Sequence, residues 1–376
     1  MARGVPTPPS PGYPGEMPVT RRALLRGGLA LPIAAAVGLN ACGPSPAEEA
    51  LARGARALWG LQAPDGLFPS REFGLLRRGQ SLTPFALLAL AGVPERLLPF
   101  PKDAAARGLQ SLLALMGPQG AVGLADPVPD YPVYATALTV SALAVLDPSA
   151  LRGPAAPLVT YLTSQQLTAG WEGSPGHGAF PMGGRDRPRP PQPGHVDLSM
   201  TRRAIEALQA AGQPVDSAAV GFVLRCGAPD GGFVYSPVEP TLNKSAEQDG
   251  VYEGYGSATC DGLLALLALG RDANDARVQA ALTRLKANHR ADLNPNVAVE
   301  REMFARAMRF YYRAGAAQVF KRLGGPAGWQ DGLITALIAE QGEDGLWRNE
   351  LALQKESEPI IASSFALLAL SAALSA

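Results

Sequence analysis

One short motif returns along the whole chain, and it limits the possible folds more than any other feature. Gln62-Ala63-Pro64-Asp65-Gly66-Leu67-Phe68 recurs near the C-terminus as Gln341-Gly342-Glu343-Asp344-Gly345-Leu346-Trp347. A third copy, Gln166-Leu167-Thr168-Ala169-Gly170-Trp171, is one residue short. A fourth, Gly227-Ala228-Pro229-Asp230-Gly231-Gly232-Phe233, lacks the Gln. Each copy follows an amphipathic helical stretch, at 52–61, 158–165, 218–225 and 333–339. A turn-rich loop comes next, then a more apolar helix opening on Ser or Thr: Thr83, Thr136, Thr201, Thr259 and Ser364, with 302–312 as a degenerate further copy. The spacing of roughly 50 to 65 residues gives about six helix–loop–helix units.

A helix pair with one apolar face cannot bury that face alone, so such units must stack on one another. The second helices are apolar nearly all round, as in 85–91, 263–269 and 365–370. They are therefore expected inside, with the amphipathic first helices outside them. A closed inner ring wrapped by an outer ring satisfies both demands. The motif Gln is expected to cap backbone groups at a helix end while the aromatic packs against the next unit.

The first 42 residues belong to a different class. Residues 1–17 are rich in Pro and Gly without apolar periodicity, which predicts no packed structure. Arg21-Arg22 then precedes an apolar run at 29–41, the layout of a signal peptide and too short to span a bilayer. The paired arginines resemble the twin-arginine export signal. Leu39-Asn40-Ala41-Cys42 resembles the lipobox of bacterial lipoproteins, in which the Cys is acylated. Export to the cell envelope and anchorage through Cys42 to the extracytoplasmic side of a membrane are the expectations. A tether of residues 43–47 would then join the anchor to a domain at 48–376, reaching less than about 20 Å.

Formal net charge is zero and no long basic run occurs, which argues against nucleic acid as a partner. A monomer is expected. Beyond Cys42 the chain has only Cys226 and Cys260, too few for a disulfide scaffold, although the pair could bridge at one end of the ring.

The Gln-x3-Gly-x-Trp/Phe run ahead of Thr/Ser-led helices resembles the repeats of squalene–hopene cyclases and is similar to bacterial prenyltransferase/squalene-cyclase-repeat proteins. The resemblance implies an all-α, (α/α)6 toroid over 48–376 and a lipidic or isoprenoid ligand in its centre. It also supplies two chemistries to test. Protonation-driven cyclases place Asp-x-Asp-Asp before the Thr of one inner helix. Here the frame reads Asp197-Leu198-Ser199-Met200-Thr201, so Ser199 occupies the position of the central acid. Protein prenyltransferases hold zinc with Asp, Cys and His. Asp261 and Cys260 start a suitable helix, but the later inner helix offers Ile360, Ile361 and Ala362 where His is required. Neither constellation is complete, so no metal and no cofactor are expected.

The inner helices begin at one end, where their unpaired N–H groups suit a polar ligand group. Asp197, His195 and Asp261 are the candidate catalytic residues there. Tyr131, Tyr134, Ser199, Tyr252, Glu253, Tyr255 and Cys260 are the candidate ligand-binding rim, with Asp130, Ser257, Glu300 and Glu358 at the same level. Asp197 is equally suited to cap its own helix. The Pro/Gly-rich segment 173–194, with Arg185, Arg187 and Arg189, is long enough to lie over the mouth. Three functions fit: a cavity that binds or acts on a lipid, a non-catalytic protein-docking surface, and polysaccharide processing by a carboxylate pair.

Overall fold

The computed structural model describes residues 43–376, so Arg21, Arg22 and Cys42 lie outside the described residues. Outer and inner helices alternate along the chain: α1 (Pro46–Trp59) is outer, α2 (Leu82–Ala91) inner, α3 (Lys102–Ala114) outer and α4 (Pro132–Leu146) inner. α5 (Ala156–Gln165), α7 (Ala218–Arg225) and α9 (Ala276–Ala287) continue the outer layer, while α6 (Leu198–Ala210) and α8 (Gly256–Ala268) continue the inner one. A short α10 (Glu302–Ala307) precedes inner α11 (Arg309–Leu323); α12 (Trp329–Glu340) is outer and α13 (Pro359–Leu374) inner. Each inner helix packs on the next, and α13 returns to α2, so the six close a ring. α1 packs on α12 and α13, which closes the outer layer across the two chain ends.

The motif holds this arrangement by hydrogen bonds that recur from unit to unit. The inner-helix hydroxyl accepts the backbone N–H of the motif's last residue: Phe68 to Thr83 at 2.8 Å, Phe233 to Thr259 at 3.1 Å, and Trp347 to Ser363 at 3.0 Å. The hydroxyl of the last unit is thus Ser363, one residue before the expected Ser364. The Gln amide meanwhile reaches the following outer helix. Gln62 Nε2 donates to Gly66 O at 2.8 Å and to Ala104 O at 2.9 Å; Gln341 Nε2 donates to Gly345 O at 2.8 Å and to Ala50 O at 2.9 Å.

The third copy is corrected by the same bonds. Gln166 Nε2 donates to Gly178 O at 3.3 Å, and Phe180 N donates to Thr201 Oγ1 at 3.1 Å. The working motif is therefore Gln166 with Gly178-Ala179-Phe180, and Trp171 belongs to an insertion between them. Gly178 shows why the glycine is needed. Its φ is +88°, and an added Cβ would fall 2.0 Å from Ala218 O. A fifth copy, Gly120-Ala121-Val122, lacks both Gln and aromatic, yet Val122 N donates to Thr136 Oγ1 at 3.0 Å. Where the fourth copy lacks its Gln, Arg277 of α9 reaches back and donates to Gly231 O at 2.6 Å.

Gln166 also joins Asp216 through two bonds, Nε2 to Asp216 O and Asp216 N to Oε1, both 3.1 Å. Gln166→Ala leaves the buried Gly178 carbonyl and these part-buried Asp216 groups without their partner, and a loss of about 1–2 kcal/mol in urea unfolding is the expected outcome.

Two boundaries differ from the sequence reading. α1 starts at Pro46, two residues early, because Ser45 and Glu48 form a reciprocal capping box. The inner helix expected at 302–312 starts at Arg309, since Glu356 accepts Phe310 N at 3.2 Å and Tyr311 N at 2.8 Å and fixes the helix end there.

Candidate functional site

A cavity of about 250 Å³ lies among the N-terminal turns of all six inner helices. Its two sides differ in chemistry. α2 and α13 contribute Leu82, Phe85, Ile361 and Phe365, joined by Leu76 from the loop before α2. Phe85 and Phe365 meet edge to face with centroids 4.7 Å apart. Across the ring, α6, α8 and α11 contribute Asp197, Ser199, Tyr255, Ser257, Asp261 and Tyr311, with Tyr235 from the preceding loop. Tyr131 and Tyr134 stand at the start of α4, and Gln354, Lys355 and Glu356 edge the cavity from the loop before α13.

Asp261 is buried, and the Tyr311 hydroxyl sits 2.9 and 2.7 Å from its two oxygens. Ser199 Oγ lies 2.6 Å from the same hydroxyl. Burial pushes the Asp261 carboxyl up to about 6, opposed by the Arg202 guanidinium and the Tyr311 bond. It is therefore poised to exchange a proton near neutral pH. Burial likewise holds the Tyr255 and Tyr311 hydroxyls well above the ordinary tyrosine range, so they are neutral donors.

Asp197 does two things. Its Oδ1 caps α6 by accepting Met200 N at 2.7 Å, while Oδ2 accepts the Tyr235 hydroxyl at 2.8 Å. His195 stands behind it and does not line the cavity. Its Nε2 is 3.0 Å from Asp197 and 3.1 Å from the Tyr235 hydroxyl, and its Nδ1 is 2.5 Å from Glu239. The hydrogen bond to Asp197 raises the imidazole's proton affinity more than burial lowers it.

Of the expected rim, Tyr131, Tyr134, Ser199 and Tyr255 line the cavity, and Tyr252, Glu253 and Cys260 do not. Tyr252 is held in the short antiparallel ladder Glu247–Gln248 with Val251–Tyr252. Glu253 is exposed beside Arg284 at 3.6 Å. Cys260 packs into α11, where a Cβ added at Gly315 would lie 2.9 Å from its own Cβ. Cys226 and Cys260 are both buried and free, so they do not bridge. Glu300 is exposed, and Glu358 caps α13 through Ile360 N and binds the Ser70 hydroxyl. Asp130 is fully buried and holds the start of α2 through Ser81 N at 3.0 Å and Ser81 Oγ at 2.8 Å. The segment 173–194 is held against its own and the neighbouring repeats, with Arg187 donating to Gln166 O at 2.9 Å, Arg185 to Asp126 O at 3.1 Å and Val133 N to Met182 O at 3.1 Å, and none of it lines the cavity. Among the described residues, no group of three or more His, Cys, Asp or Glu side chains is placed to hold a metal ion.

Several site residues escaped the sequence. Tyr311 and Met308 were hidden by the misplaced start of α11. Tyr235 lies in the long connection between α7 and α8, where no motif marks which side chains turn inward. Glu356, two residues before Glu358, had no motif to mark it. Arg202 carried a readable signal: a charge on an inner helix must be buried with partners.

No protein-family profile and no curated protein matches the chain. Solved structures do. The type II terpene cyclase MstE from Scytonema superposes with a TM-score of 0.60 at 11% identity, covering 89% of this chain and 100% of that one. A point variant of that cyclase in complex with the product merosterolic acid A gives 0.61 at 11% identity over 88% and 98%. An unsaturated glucuronyl hydrolase from Bacillus sp. GL1 gives 0.53 at 14% identity over 86% and 95%. The fold is an α/α toroid. At such identities the likeness fixes architecture alone, because the toroid carries unrelated chemistries.

Proposed function

We propose that the toroid binds an isoprenoid-like or other lipidic molecule with a polar head, and acts on that head through Asp261. One observation carries this reading: the cavity has an apolar side on α2 and α13 and a tyrosine- and carboxylate-lined side on α6, α8 and α11. The hydrocarbon would lie on Phe85, Ile361 and Phe365. The head would meet Asp261 and Tyr311, one able to give or take a proton and the other a fixed donor. A carboxyl near 6 suits a polar reacting group better than an isolated alkene, whose protonation demands a much stronger acid. Ser199 at the position of the missing central acid agrees with that.

Export and lipid anchorage at Cys42 belong to the same proposal. They are supported by the Arg21-Arg22 and Leu39–Cys42 signals and by the short interval before α1 at Pro46. Exposed Val128, Val251, Val299, Met303 and Leu353, on connections leading into inner helices, suit a ligand drawn from a membrane.

Native mass spectrometry with farnesol tests the reading. A one-to-one complex is expected, weakened at least about tenfold by Ile361→Arg, which sets a charge on the apolar side. No complex with farnesol would sink it. Asp197, Asp261 and Glu356 converging on one cavity favour a second reading, polysaccharide processing by a carboxylate pair. Binding of an unsaturated glucuronyl disaccharide in place of farnesol would select it.

A further inference from the structure

Beneath the cavity the bore of the ring is filled by charge. Arg202 of α6 has only 1% of its side chain exposed. Its Nε lies 3.4 Å from Asp261 Oδ1 and 3.7 Å from Glu206 Oε2, and it completes a hydrogen bond with neither. Glu206 is also 3.3 Å from Arg203, so two guanidinium groups share two carboxylates. A buried donor left between two acceptors has two nearly equivalent partners, and a small rotation completes either bond.

We propose that Arg202 is the positioning residue of the cavity's acid, a counter-ion shared between Asp261 and Glu206 whose hold tightens on Asp261 when that carboxyl gives up its proton. This rests on the reading of Asp261 as the group that acts on the ligand. While Asp261 is protonated, Glu206 answers the charge of Arg202. When the Asp261 O–H bond breaks and its proton passes to the ligand, the pair of electrons left on Asp261 faces Arg202 Nε–H. The guanidinium is then drawn toward it, and Arg203 remains to balance Glu206. When a proton returns from the ligand to Asp261, the arrangement reverses, so the cycle needs no other reactant.

The surroundings permit this exchange. The groups facing Asp261 are Asp197 just ahead of α6, Ser199, Arg202 and Arg203 from α6, Tyr255 and Cys260 at the start of its own helix, and Tyr311 from α11, with Glu206 across the two arginines. Tyr134 from α4 lies near enough to act on Arg202. Tyr311 and Cys260 are held neutral by burial, so Arg202, Arg203, Glu206 and Asp197 are the charges that decide the balance. Burial works against the charge of Arg202, but Glu206 and Asp261 more than offset it, so it stays cationic throughout.

Carbon-13 NMR of aspartate carboxyls in the full chain reads Asp261 directly, its signal identified by its loss in Asp261→Asn. In Glu206→Gln, Arg202 has only Asp261 left to pair with, and a nearby negative charge is gone. The Asp261 midpoint is expected to fall by about one pH unit, a tenfold gain in acidity. In Arg202→Gln it is expected to rise by at least as much. An Asp261 midpoint in Glu206→Gln unchanged from the parent would show that Arg202 is not shared between the two carboxylates, and that result overturns the proposal. So does a rise in Glu206→Gln. The Glu206→Gln arm stands even where Arg202→Gln fails to fold. Because the signal is read without ligand, a shifted midpoint with no farnesol bound would remove the lipid reading and leave the shared counter-ion intact.

Discussion

Trp347→Ala destabilises the protein by about 3–5 kcal/mol, the usual cost of emptying a fully buried aromatic site. The indole is entirely buried, and its Nε1 donates to Leu337 O at 2.7 Å. Its six-membered ring fills a notch in α1 that exists only because residue 54 is glycine; a Cβ there would fall 2.3 Å from Trp347 Cζ3. The tryptophan thus joins the last repeat to the first outer helix, and the seam it fills is what closes the ring. Alanine leaves a void between two rigid helices that cannot collapse independently, and strands a carbonyl at the end of α12. Calorimetry should record a fall in Tm of roughly 10 °C. Trp347→Phe, which keeps most of the ring volume, should recover more than half of it. A loss below about 1 kcal/mol for the alanine variant would mean that Gln341, through Ala50, holds the seam without the indole.

The comparison of Trp347 with Trp171 shows how far the sequence could be read. Each stands where the sequence motif calls for the aromatic of a repeat, and only Trp347 fills that role. The motif survives wherever its hydrogen bonds do, so Val122 fills the place of a Phe while Trp171 sits on an insertion. Spacing along the chain therefore revealed the fold, whose repeats must stack whatever their loops contain, but not the register within each loop. The site was legible to the extent that it followed from helix starts. Tyr131, Tyr134, Asp197, Ser199, Tyr255 and Asp261 line the cavity because each lies in, or one residue ahead of, the start of an inner helix marked by Thr. Tyr235 and Glu356 reach the cavity from loops, and a loop's path is set by tertiary bonds that no local pattern records. Tyr252, Glu253 and Cys260 stay outside the cavity for a related reason. A position near a helix start fixes the level along the ring axis, but not whether the side chain faces the bore.

Glu356 supplies the second large effect, one that depends on pH. It is fully buried, edges the cavity, and accepts Tyr311 N at 2.8 Å and the Asn349 amide at 2.9 Å. Burial nevertheless pushes its carboxyl up to about 7, against an ordinary value of 4.5. Between those two values the folded protein keeps a proton that the unfolded chain has released, so this group's contribution to stability falls as pH rises. It is complete below about 4.5 and is lost as pH passes 7, a change of about 3 kcal/mol. Glu356→Gln carries a neutral amide at every pH and lacks that loss. From pH 4.5 to pH 8, urea unfolding should therefore move in favour of the variant by about 3 kcal/mol relative to the parent. Parallel curves for the two proteins would show that the three N–H donors already stabilise the carboxylate and that burial does not control it. The point bears on function because Glu356 fixes the start of α11, and the third residue of that helix is Tyr311, whose hydroxyl holds Asp261. A proton gained or lost at Glu356 thus acts on the backbone that positions the cavity's acid, and the stability curve and the Asp261 midpoint should respond together.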